Sequence, residues 1–177
     1  GFTIVAGGAD PTPDTVMITN VGVFPLVSLA VDSIAYGAGA SDWIVAVLGG
    51  SSAPATLAVN PMTTGITAAG DYSATVWISG ENAVNSPESI LVTLHVDAAT
   101  PASVVLNAGD AQTTGVSAAI AVAPSVLVTD VFGNRAAGVS VTFAITEGGG
   151  SLTDATVETD VSGVAQVGSW TLGTGVG

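Results

Sequence analysis

The chain has 177 residues, 48% of them hydrophobic and 8% charged, enough apolar content for a packed core and too little charge for intrinsic disorder. Fourteen acidic residues stand against one basic residue, a formal net charge of -13, so phosphates cannot be neutralised and both nucleic acid and anionic lipid are excluded as electrostatic partners. No cysteine is present, which rules out disulfides and thiolate metal sites, and no apolar run approaches the ~20 residues of a membrane helix.

Twenty-three glycines and eight prolines punctuate short alternating apolar runs, the pattern of an all-β chain. The first series predicts strands over Thr3–Ala6, Thr15–Asn20, Ser28–Tyr36, Trp43–Leu48, Ala55–Val59, Tyr72–Ser79 and Ser89–Asp97. Residues 98–101 read as a linker, because Pro101 cannot enter a central ladder. The second series predicts strands over Ser103–Leu106, Gly115–Val122, Ser125–Thr129, Val139–Thr146, Ser151–Glu158 and Ala165–Leu172. No stretch sustains a helical period.

Period-2 alternation assigns faces. Tyr72, Ala74, Val76 and Ile78 point inward, as do Ile90, Val92, Leu94 and Val96, Val16 and Ile18, and Ile44, Ala46 and Leu48. That leaves Met17, Val45, Val47, Trp77 and Leu91 outside, with His95 beside them on the last strand of the first series. Phe24 sits in the loop 21–26, which is more apolar than a solvated loop needs. Contiguous exposed apolar side chains mark interaction surfaces, so Met17, Phe24, Val45, Val47, Trp77, Leu91 and His95 are the expected protein interface.

Catalytic and metal chemistry finds little support. Gly148-Gly149-Gly150-Ser151 has no following Lys to make a phosphate loop and reads as a hairpin connection. His95 is the only histidine and lacks a neighbouring acid in sequence, so a triad has no basis. Glu158 and Asp160 share a face if their strand persists, but they flank a Gly-containing turn and read as solvated. Asp97, Asp110, Asp130 and Asn134 are the candidate calcium ligands near domain ends, but no D-x-D-x-D-G loop exists, and Asp130 and Asn134 read better as turn-forming residues. No cofactor is expected.

Two resemblances organise these readings. Thr129-Asp130-x-x-Gly133-Asn134, Gly138-Val139-x-Val141-x-Phe143, Gly148-Gly149-Gly150-Ser151 and Gly168-x-Trp170-x-Leu172-Gly173 resemble the bacterial Ig-like domains of the invasin and intimin type. Residues 7–20, Ala53-Pro54-Ala55-Thr56-Leu57, residues 70–76 and residues 85–94 are similar to BACON-type and related bacterial sandwich repeats. The implied architecture is all-β, two tandem Ig-like β-sandwich domains: residues 1–97, a linker at 98–101, and residues 102–177. The resemblance also implies a last strand after Leu172, absent from this sequence, whose place would otherwise be a bare edge that needs covering.

The resemblances imply a non-catalytic module outside the cytoplasm, in the periplasm or at the cell surface of a bacterium. The expected role is an accessory subunit that binds a larger protein assembly, membrane-associated on its periplasmic side, through the apolar face of the first domain. The alternatives are a stalk segment of a surface adhesin and a carbohydrate-binding module with Trp43 and Trp77 as stacking platforms.

Overall fold

The computed structural model describes residues 1–175, and these contain strands and loops but no helix. The chain divides into two compact units, one of Gly1–Asp97 and one beginning at Ala98.

The first unit contains β1 (Phe2–Val5), β2 (Asp14–Ile18), β3 (Val27–Tyr36), β4 (Ile44–Leu48), β5 (Ala55–Pro61), β6 (Gly70–Glu81) and β7 (Glu88–Asp97). They form a four-stranded sheet in the order β1-β7-β6-β3 and a three-stranded sheet in the order β2-β5-β4. The first strand pairs parallel to the last, Phe2 opposite Leu94 and Val5 opposite Asp97. All other ladders in the unit are antiparallel.

Alternation along β7 is strict: Val92, Leu94 and Val96 are buried while Leu91, Thr93 and His95 are exposed. Ala74, Val76 and Ile78 of β6 are buried beside them, and Ala55, Leu57, Val59 and Ile44 are buried from the other sheet. These β-branched and leucine side chains from both sheets form the core. Each removes apolar area from water at about 25 cal/mol per Å². The carboxylate of Asp10 ties the chain between β1 and β2 to the β5–β6 connection, accepting from the backbone N–H of Thr63 (2.5 Å) and of Thr64 (2.9 Å) and from both hydroxyls. The Thr63 N–H bond is the main reason that its pKa lies below the ordinary carboxylate value.

The second unit contains β8 (Pro101–Ala108), β9 (Ser125–Asp130), β10 (Ser140–Thr142), β11 (Gly150–Thr153), β12 (Thr156–Glu158), β13 (Val164–Gln166) and β14 (Ser169–Leu172). Its sheets are β13-β9-β8, β10-β12 and β11-β14. Pro101, expected in the linker, opens β8. An edge strand tolerates it as first residue, since the missing N–H faces no partner.

Four expected strands of this unit differ. Residues 115–122 form no strand: Ser117 has a φ of +59°, and the segment's one β-bridge joins Ala119 to Thr171. Its backbone still bonds to β14 and the residue after it, Ile120 N–H to the Trp170 carbonyl (3.0 Å), Leu172 N–H to the Ala118 carbonyl (3.0 Å) and Ser117 N–H to the Gly173 carbonyl (3.2 Å), while the Gln112 side chain holds Val122, accepting from its N–H (2.8 Å) and donating to its carbonyl (2.7 Å). The run 151–158 breaks at Asp154, whose φ is +48°, and its halves join different sheets. The run 165–172 breaks at Gly168, where a side chain would collide with Asp154 and Thr153, so β13 and β14 also separate. Of the expected 139–146 strand, only Ser140–Thr142 pairs.

Asp130 and Asn134 form the turn after β9 themselves. The Asp130 carboxylate accepts from the backbone N–H of Phe132, Asn134 and Ala99 and from Asn134 Nδ2, each at 2.8 Å. Asp160 repeats the device, accepting from Ser162 N–H (2.8 Å) and Val164 N–H (3.0 Å). Gly163 in that turn has a φ of +71°, and a Cβ there would lie 2.7 Å from the Val128 carbonyl oxygen. The strand expected after Leu172 lies outside the described residues.

Candidate functional site

The outward positions of β2, β5 and β4 form one surface. Across it run Met17 opposite Thr56, Thr15 opposite Ala58 opposite Val47, and Asn60 opposite Val45. Met17 is 62% exposed, Val47 50% and Val45 42%. Met62 follows β5 with the same parity, is exposed, and extends the ladder through its N–H to the Trp43 carbonyl (2.7 Å). Asn60 Nδ2 donates to the Val45 carbonyl (3.1 Å), so one of the few polar side chains here is spent on backbone. Although the chain carries 14 acidic residues, none occupies an outward position of these three strands. Asp10 and Asp42 border the face beside Met62; strand positions with apolar side chains and no acid have the composition of an interface core.

The remaining expected residues lie elsewhere. Trp77 and Leu91 occupy the outward face of the other sheet, Trp77 opposite Ser33 and Ser89, Leu91 opposite Thr75. They are diagonal neighbours amid Ser73, Thr75, Ser89 and Thr93. The same face carries carboxylates: Asp32 accepts from the Ser79 hydroxyl (2.6 Å), and Asp71 lies opposite His95. His95 bonds Asp71 through Nδ1 (2.6 Å) and Asp97 through Nε2 (3.2 Å). The hydrogen bond to Asp71 is the largest influence raising its pKa above 6.5; partial desolvation opposes it. The seven residues expected on one interface are therefore divided, with Met17, Val45 and Val47 on one sheet, Trp77, Leu91 and His95 on the other, and Phe24 in the β2–β3 loop.

Trp43 is buried, 1% exposed, with its ring centroid 6.2 Å from that of Tyr36. It cannot serve as a stacking platform for sugar. Its number has the outward parity of Val45 and Val47, but β4 begins only at Ile44, so alternation does not govern it. Met62 was missed because the strand was expected to end at Val59; carrying the alternation three residues further would have found it.

Glu158 and Asp160 do not form a carboxylate pair on one strand, since β12 ends at Glu158 and Asp160 caps the following turn. Gly148, Gly149 and Gly150 all have positive φ, a backbone path suited to glycine in a connection. Among the described residues no group of three His, Asp or Glu side chains is placed to hold a metal ion. The chain matches no protein-family model, and no curated protein is significantly similar to it.

Proposed function

We propose that this chain is a non-catalytic structural module, outside the cytoplasm, that docks onto a larger protein assembly through the outer face of the β2-β5-β4 sheet. One observation carries the reading: Met17, Val45, Val47 and Met62 are exposed apolar side chains of one sheet face whose outward strand positions hold no acid, in a chain of net charge -13. Solubility alone would place acids there.

The Ig-like reading of the first unit draws support from strand order. Lettered A to G in sequence, its sheets are A-G-F-C and B-E-D. That order is compatible with an Ig sandwich in which the first strand pairs with the last rather than with the second. The extracytoplasmic placement, the bacterial source and a membrane-associated assembly on the periplasmic side rest on the quoted motifs. The adhesin-stalk reading keeps one supporting feature, the hydroxyl-rich and carboxylate-bearing outer face of the other sheet.

The test is native purification of the full chain with identification of what co-purifies. Met17→Asp combined with Val47→Asp should abolish the association and leave the melting temperature close to that of the wild type, since both side chains are exposed. Trp77→Ser, on the opposite face, should retain it. Loss of the partner in Trp77→Ser with retention in the double variant would reverse the assignment of the face.

A further inference from the structure

The connections β2–β3 (residues 19–26) and β6–β7 (residues 82–87) meet at one end of the first unit, where Val27 pairs with Glu81 and Asn82 Nδ2 donates to the Pro25 carbonyl (3.3 Å). Four apolar side chains project from this end: Val21 at 101% exposure, Val23 at 93%, Phe24 at 72% and Val84 at 106%. The backbone beneath them is pinned by polar groups. Asn20 Oδ1 accepts from the Gly22 N–H (2.9 Å), and Asn20 Nδ2 donates to the Phe24 carbonyl (2.7 Å). The loop is thus held in a conformation that leaves its apolar side chains in water, at a cost in hydration that a folded protein ordinarily avoids by burial.

We propose that this end is a membrane-contacting tip that inserts Val21, Val23, Phe24 and Val84 into the interfacial region of a zwitterionic lipid bilayer. The shape selects the medium: side chains exposed on all sides are buried by a material that closes around them, as lipid does without a preformed cleft, whereas a flat protein surface suits the sheet face described above. Charge selects the lipid. The ionisable groups that bracket the β6–β7 connection, Glu81 and Glu88, are acidic and exposed, and Asn85 Nδ2 bonds the Glu88 carboxylate (2.6 Å). With no Lys or Arg in the first unit, an anionic surface repels the tip. Four small side chains offer no more anchoring than a single acyl chain, so contact is weak and reversible. It gains strength when another surface of the chain is already held at the membrane.

The experiment is flotation of the full chain with vesicles of phosphatidylcholine, alone and mixed with phosphatidylglycerol. The wild type should float with phosphatidylcholine and bind less as phosphatidylglycerol is added. Val23→Asp combined with Phe24→Asp should lower the bound fraction at least tenfold, and Val161→Asp, at an equally exposed valine of the second unit, should leave it unchanged. Phe24→Trp should show a blue-shifted emission on vesicle addition. No flotation of the wild type, equal flotation of the double variant, or binding that rises with phosphatidylglycerol overturns the proposal; the first would point to an apolar cleft of a protein as the tip's counterpart.

Discussion

Asp130 holds the second unit together through one side chain, and its replacement by Asn is the sharpest test of that role. The carboxylate is 3% exposed and accepts four hydrogen bonds, from Ala99, Phe132 and Asn134 N–H and from Asn134 Nδ2. An amide keeps one acceptor oxygen and turns an NH2 group toward two of these donors. At least one buried donor loses its partner at about 1–3 kcal/mol, and the bonds that survive lose their ionic component. The expected loss is about 2–4 kcal/mol, a large share of the roughly 5–15 kcal/mol that stabilises a domain. Scanning calorimetry of the full chain should show the transition of the second unit falling by about 10 °C or more while that of the first stays in place. The pH dependence supplies a second check. Burial pushes the Asp130 carboxyl up, but the Asn134 side chain and the three backbone N–H groups outweigh it and hold the pKa below 3.8. A lowered carboxylate contributes its full stability above the ordinary value and loses it as pH falls through the native one, so the gap between wild type and variant should close only below about pH 4. A second-unit transition unmoved in Asp130→Asn at neutral pH would refute the reasoning.

Trp43→Ala should cost the first unit about 3–5 kcal/mol, because the ring is buried against Tyr36 and its loss leaves a cavity. Trp77→Ser on the outer sheet face should cost about 1 kcal/mol, and urea denaturation that ranks the two the other way would move Trp77 into the core. The His95 ring should titrate above 6.5 by NMR, and Asp71→Asn should lower its midpoint. Because the native pKa is raised, this interaction supports the first unit below about pH 6.5 and is lost as pH rises through the native value; a midpoint unaffected by Asp71→Asn would show that the pair does not persist in solution.

Inward and outward positions of β6 and β7 were legible because their alternation is unbroken, Ala74-Val76-Ile78 against Thr75-Trp77-Ser79. Which sheet each strand joins was not, since pairing is non-local while alternation is a property of one strand. Met17 and Trp77 are both outward, yet they stand on different sheets, and nothing in either strand records that. In the second unit the breaks fall at backbone conformations that the residue type does not announce: Ser117 and Asp154 adopt positive φ without being glycine. The turn chemistry of Asp130, Asn134 and Asp160 was readable because it depends on side chains that bond their own neighbours.

The two units differ in what stabilises them, and the difference follows from their strands. In the first, long strands carry Leu, Ile and Val at buried positions on both sheets. Among the described residues of the second, the buried apolar side chains are Val128, Ala136, Ala165 and Val167. Val104 and Leu106 of β8 share a face with Val128 and Val126, yet they are 61% and 55% exposed. No described strand pairs with the free side of β8, and little is packed over it. With so little apolar burial, the polar connections must supply a larger fraction of the stability: Asp130 on four donors, Asp160 on its turn, Gln112 on Val122, and the buried Thr159 hydroxyl donating to the Ala136 carbonyl (2.6 Å). Removing one acceptor should therefore damage the second unit about as severely as removing a buried aromatic ring damages the first.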